Sequence, residues 1–277
     1  MINFWINTLE QGLIFSIMVL GVYITYKILD FPDLSVDGSF PLGAAVTAGC
    51  FMSGINPYMA CILSFIVGMM AGAITGLLHV KLKITNLLSG ILVMIGLYSI
   101  NLRIMGKANI PFFNKSTVFI EGVHPLVIIA IFALIAKVSL DFFFSSKLGF
   151  ILKATGDNPQ LVTSLGIDKG LIKILGLSIS NGLVALSGSM MAQYQRFSDV
   201  GMGTGIIVMG LASIIIGETM FKRFSALKIT TIAILGSILY KTCTALALKL
   251  GFPPTDLKLI TSIIVVIALS LNGKTFL

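Results

Sequence analysis

The chain has 277 residues, 56% of them hydrophobic and only 11% charged, with a mean hydropathy of +1.02. A soluble domain carries about a quarter charged residues, so a water-soluble class is excluded and a membrane protein is implied. The net charge of +8 does not point to nucleic acid: Lys and Arg fall mainly in short loops between apolar blocks, and no basic run is interleaved with aromatics.

The opening stretch, MINFWINTLEQG, has no basic residue and no small-residue cleavage site, unlike a signal peptide. A spanning helix needs about 20 apolar residues. Blocks 9–29, 57–80, 87–104, 125–144, 171–194 and 227–248 meet that need. Blocks 40–55, 206–217 and 257–271 are shorter, and each follows a polar leader: DFPDLSVDGS, RFSDVGMGTG and GFPPTD. Short apolar blocks behind Gly- and Pro-rich leaders predict broken or half-spanning helices, which survive at membrane depth only inside protein or against a wet cavity. The fold class is therefore all-α and polytopic, a single domain over 1–277 with about eight or nine transmembrane or half-spanning helices. Two leaders look alike. Ser35-Val36-Asp37-Gly38 opens one short helix, and Ser198-Asp199-Val200-Gly201 opens another, which hints at an internal repeat.

Cys50, Cys61 and Cys243 sit in apolar blocks without metal-ligand spacing and read as packing residues. Gly68, Gly72 and Gly76 recur every fourth residue and predict a close helix contact, in the bundle or between two copies.

Between residues 145 and 173 the apolar pattern breaks. Asp157 or Asn158 can cap exposed N–H groups, Pro159 suits the first helical position, and Gly166 suits a left-handed stop. A short helix over 159–165 follows, either an ordinary capped surface helix or a docking surface. Basic residues in short loops place Lys81, Lys83, Lys147, Lys153, Lys169, Lys173, Lys222, Arg223, Lys228 and Lys274 on the cytoplasmic side. The loop 106–123 then lies outside, although it holds Lys107 and Lys115.

Ionisable and polar residues within apolar blocks are costly in lipid and read first as functional. Asp37 either lines a pathway or caps its own short helix. Asp37, Ser39, Asn86, Ser89 and Asn101 together are the candidate translocation pathway, because polar groups are better satisfied on a wet route than in lipid. Arg103 either meets a carboxylate or a docking protein, or snorkels to the headgroups. With Asn109, Phe112 and Phe113 of the outer loop it forms a candidate external contact surface. Glu218 is expected to pair with Lys222 or Arg223, and Lys137 and Lys241 need partners or a wet face. His79 and His124 read as loop residues.

The strings ATGDNPQLVTSLGIDKGLIK, SGSMMAQYQ and GIIVMGLASIIIGE resemble permeases of ATP-binding cassette importers, in the group that includes branched-chain amino acid and ribose permeases. DFPDLSVDGSFPLGAAV adds to this, although more distant members begin that motif with Gly where Asp30-Phe31-Pro32-Asp33 stands. With TNLLSGILVMIGLYSINLRIMGKANIP the chain is similar to permeases linked to tryptophan or tyrosine uptake. The resemblance implies a bacterial plasma-membrane subunit working as two copies, with two ATPase subunits that bind ATP and Mg and an extracellular substrate-binding lipoprotein. It implies no cofactor and no catalysis in this chain, which has no G-x-x-x-x-G-K-[ST] phosphate loop. It also implies a coupling helix over 156–166, with Gly156, Asp157, Asn158, Pro159, Leu161, Ser164, Leu165 and Gly166 at the ATPase. The competing classes are an ion-coupled secondary transporter, which broken helices fit equally well, and an intramembrane enzyme, for which no nucleophile–base or metal constellation is present.

Overall fold

The computed structural model describes residues 2–113, 115–120, 122–221, 227–253, 256, 259–263 and 266. Most of the predicted block 257–271, together with Asn114, Lys222, Arg223 and Lys274, lies outside the described residues. Helix α1 (Ile2–Tyr23) runs into one π turn (Ile24–Ile28), and α2 (Val36–Met52), α3 (Pro57–Val80), α4 (Asn86–Met105) and α5 (Pro125–Ser145) follow. Two short helices, α6 (Lys147–Asp157) and α7 (Pro159–Ser164), precede the long α8 (Lys169–Gln195). A 3-10 turn (Val200–Gly203) leads to α9 (Ile206–Phe221), and α10 (Ile229–Lys249) follows. The three-residue strands β1 (Asn109–Pro111) and β2 (Phe197–Asp199) pair antiparallel and tie the α4–α5 loop to the end of α8. Seven segments among the described residues are long and apolar enough to cross a membrane. The chain is an all-α polytopic membrane protein.

Capping chemistry places the helix ends. Asn56 caps α3 and His124 caps α5, each with Pro at the first helical position. Asp168 caps α8, which ends at Arg196 in the left-handed conformation. Tertiary contact determines the packing. Gly68, Gly72 and Gly76 of α3 lie against Ala185, Leu177 and Ile174 of α8, so the predicted small-residue seam closes within the bundle. Ser180 and Ser187 of α8 donate to the carbonyls of Gly21 (2.7 Å) and Ile14 (2.8 Å) in α1. Thr47 of α2 meets Ser189 of α8 at 2.6 Å. Helix α8 is thus the central post, with α1, α2 and α3 around it. The outer faces of α3 and α5 expose Ile62, Ile66, Met70, Ile131, Leu134 and Ile135, as lipid-facing surfaces require.

At Gly43 a Cβ would overlap the Ala185 carbonyl, so α2 and α8 touch backbone to backbone. Gly43→Ala is expected to lower stability by about 1–3 kcal/mol or more through overpacking. Gly96→Ala, where a Cβ meets nothing within 4 Å, should leave it within about 0.5 kcal/mol. Thermal unfolding of both variants in detergent checks this.

Depth follows from helix geometry. Asn181 lies twelve residues into the 27-residue α8, about 18 Å along it at 1.5 Å per residue. Ser35, which precedes α2, and Ser39 both donate to Asn181 Oδ1. Helix α2 therefore begins near mid-membrane and rises with α8 toward the β1–β2 side. Helix α9 begins at the same depth and descends toward the α6–α7 side, where Glu218 in its last turns pairs with Lys27 at 2.9 Å. Two of the three short apolar blocks expected to be broken helices are this pair of mid-membrane starts, although α2 spans Val36–Met52 against the predicted 40–55 and α9 runs four residues past the predicted end at 217, to Phe221.

Candidate functional site

Two places gather the residues expected at an ATPase contact and on a pathway. The first is the α6–α7 elbow. Residues 155–157, expected to start the short helix, are instead the last turn of α6. The amphipathic KLGFILKATGD forms a helix of its own. Asn158, not Asp157, caps α7, its Oδ1 accepting from Leu161 N at 3.1 Å. Helix α7 stops at Ser164, and Gly166 takes φ +74°. Gly156 faces inward, and any Cβ there would strike the Ile28 carbonyl of the π turn. Val162 is buried, whereas Asp157, Asn158, Ser164 and Gly166 are exposed and Pro159 is half-buried. Leu161 and Leu165 are 48% and 62% exposed, an apolar pair one turn apart without cover among the described residues.

The second place is a cleft of about 420 Å³ between α2, α4 and the turn that precedes α9. Its wall comprises Asp37, Gly38, Pro41, Met94, Ile95, Tyr98, Asn101, Val200, Gly201 and Thr204. Asp37 does not cap its own helix, where Ser35 holds the N-cap position. Its carboxylate reaches across and accepts from Gly205 N (2.9 Å) and Ile207 N (2.8 Å), capping α9 instead. The two leaders that look alike therefore meet in space. Pro41 has no N–H to give the Asp37 carbonyl four residues back, so the first turn of α2 carries a loosened backbone. Gly203 packs against that carbonyl and against Pro41.

The other expected pathway residues divide. Asn101 is buried in the cleft wall, its Nδ2 donating to Gly38 O at 3.3 Å and its Oδ1 without a partner. Asn86 is half-buried at the start of α4. Ser39 and Ser89 are fully buried. Ser89 bonds back to Asn86 O, and Ser39 belongs to a dry network on the α8 side, away from the cleft. In that network Asp33 accepts from Ser35 N (2.9 Å), Ser35 Oγ (2.6 Å) and Asn181 Nδ2 (2.8 Å). Neither serine faces an open route within this chain, because short hydroxyls at mid-membrane depth are satisfied locally.

On the outer surface Arg103 and Asn109 are exposed, and Asn109 Nδ2 donates to Asp199 across the strands at 3.1 Å. Phe113 is 72% exposed, but Phe112 is buried edge-on against Phe51 and is a packing residue, not a contact residue. Glu218 pairs with Lys27 and not with the expected basic residues of the following loop, because α9 descends beside the π turn. Lys137 finds Asp141 one turn on, at 2.9 Å, and Lys241 lies 3.7 Å over the Phe15 ring. His79 Nδ1 lies 2.9 Å from Ile84 O. Tyr98, Met94 and Thr204 were missed as cleft residues. The Asp37–Pro41 spacing, a proline placed to free an acidic residue's carbonyl, was the available signal.

Residues 4–270 match the protein family described as "Branched-chain amino acid transport system / permease component". The chain is 55% identical to a tyrosine transport system permease protein of Clostridioides difficile, over 94% of this chain and 88% of that protein. It is 38% identical to an uncharacterized protein of Rickettsia prowazekii, over 97% of each. Among solved structures, PsaBC from Streptococcus pneumoniae in complex with Fab matches 98% of this chain and 90% of its own, with TM-score 0.58 at 16% identity, a likeness of fold. With seven membrane-capable helices and a family match running almost end to end, the chain belongs to the branched-chain amino acid transport permease family and is a multi-pass cell-membrane protein.

Proposed function

We propose that this chain is the membrane subunit of an ATP-driven importer for an aromatic amino acid of the tyrosine or tryptophan type. An extracellular binding lipoprotein delivers the substrate, two copies of the chain enclose the route, and two separate ATPase subunits supply the energy. The observation that carries the reading is the α6–α7 elbow: two uncovered leucines on a helix capped at both ends, seated on the π turn through Gly156. A rigid elbow of this kind passes displacement to what it rests on. The π turn in turn pairs with the last turns of α9 through Lys27–Glu218, and α9 starts at Asp37 beside the cleft. The name of the Clostridioides difficile relative favours tyrosine over other amino acids.

Co-expression with the cognate ATPase tests this. The two subunits should purify in detergent as one complex, and ligand-loaded binding protein should stimulate its ATP hydrolysis several-fold. A permease that purifies free of the ATPase, or hydrolysis indifferent to the loaded binding protein, contradicts the proposal.

A further inference from the structure

The α2–α4 cleft is mainly apolar, with acceptor groups of Asp37 and Asn101 at one end. The Asp37 carboxylate accepts from Gly205 N and Ile207 N, and Ile206 N is also directed at it, so it is engaged by the backbone at the start of α9. A carboxylate offers about four lone-pair sites, so acceptor capacity remains. Among the described residues, no Lys or Arg lines the cleft and no cationic side chain pairs with Asp37. The Asp37 carbonyl lacks the N–H that Pro41 cannot give. Asn101 Oδ1, in the wall, has no partner at all. The N–H groups and positive dipole end of α9 offset part of the cost of a half-buried carboxylate near mid-membrane, and a cationic group in the cleft would offset more. Around this polar end lie Met94, Ile95, Pro41 and the Tyr98 ring. The volume, about 420 Å³, is within the usual range of small-molecule sites, about 300–1,000 Å³. Ile95 and Tyr98 are 59% and 54% exposed, so the cleft opens on the outer side of α4.

We infer that this cleft is a transit site that holds the α-ammonium group of the amino acid against Asp37 while the aromatic side chain lies along Met94, Ile95 and Tyr98. The inference rests on the importer reading and deepens it: the membrane subunit contacts its substrate chemically and does not merely enclose it. Occupancy also has a mechanical consequence. Asp37 holds the first turn of α9, so a ligand drawing on the same carboxylate is sensed at the start of the helix that reaches the π turn.

The test uses the permease–ATPase complex with Cys50, Cys61 and Cys243 replaced by Ser and Thr204→Cys introduced at the exposed rim of the cleft. Labelling by a small water-soluble thiol reagent should be slowed by millimolar L-tyrosine. It should not be slowed by 3-(4-hydroxyphenyl)propionate, which lacks the ammonium, nor by sodium chloride at the same concentration. Asp37→Asn should abolish the protection and lower ATP-driven uptake at least about tenfold, the scale of one charge-assisted hydrogen bond, with the binding protein's affinity unchanged. Equal protection by the des-amino compound, or by salt alone, overturns the inference. So does the absence of protection with Asp37 intact, or wild-type uptake by Asp37→Asn. ATP-driven uptake by the unsubstituted permease–ATPase complex stands or falls separately, which distinguishes failure of the transit site from failure of the importer reading.

Discussion

Leu161→Lys is expected to abolish assembly with the ATPase subunit while leaving the helical bundle inserted and folded. Leu161 is 48% exposed and its neighbour Val162 is buried, so α7 holds to the bundle through one face and presents the other. Burying a leucine at an interface contributes about 1.5–3 kcal/mol. Placing an unpaired ammonium there adds a desolvation cost of several kcal/mol. Together these weaken association by at least about a hundredfold. Because the substituted side chain points away from the protein's own core, thermal unfolding of the permease alone should be unchanged. Leu165→Lys should act in the same direction, since Leu165 is 62% exposed one turn further on. Co-purification with the ATPase is the measurement. Normal recovery of the complex with Leu161→Lys would mean that the elbow is a plain surface turn.

Asn181→Leu is expected to be the most damaging single change to the fold. Asn181 stands midway along α8, where its amide donates to Asp33 Oδ2 and its Oδ1 accepts from Ser39 at 2.6 Å and Ser35 at 3.1 Å. Leucine has a similar volume but no polar atoms. It would leave a buried carboxylate oxygen and a buried hydroxyl without partners, a loss on the order of 3 kcal/mol or more. Because the network fixes the mid-membrane start of α2, the cleft should loosen with it. Adding Asp33→Asn to Asn181→Leu should recover part of the stability, since a neutral amide is cheaper to leave unpaired than a carboxylate. Melting temperatures of the single and double variants in detergent report this. Further loss in the double variant would show that the charge on Asp33 is not what the network exists to satisfy.

Much of this architecture was readable in the residues. Apolar length located the spans, Asn158-Pro159 and Gly166 located the short helix α7, and the polar leaders located the two mid-membrane helix starts. Those signals are local, and local chemistry dictates them. Partnerships across long sequence separation were not readable. That Asp37 would cap α9 and not α2, or that Glu218 would meet Lys27 of the π turn, depends on which helices become neighbours at which depth. Ser39 and Phe112 show the same limit from the other side. A serine at mid-membrane and a phenylalanine on an outer loop can each face water or the core, and only the packing of Asn181 and of Phe51 decides.

The central claim is that ATP hydrolysis outside this chain drives an amino acid through it. Uptake of radiolabelled L-tyrosine into proteoliposomes tests that claim directly, with permease, ATPase and loaded binding protein present, under two energy sources applied separately. The account predicts accumulation with ATP and Mg at the ATPase face in the absence of any ion gradient. Accumulation driven by a proton or sodium gradient in vesicles that hold this chain alone would contradict it.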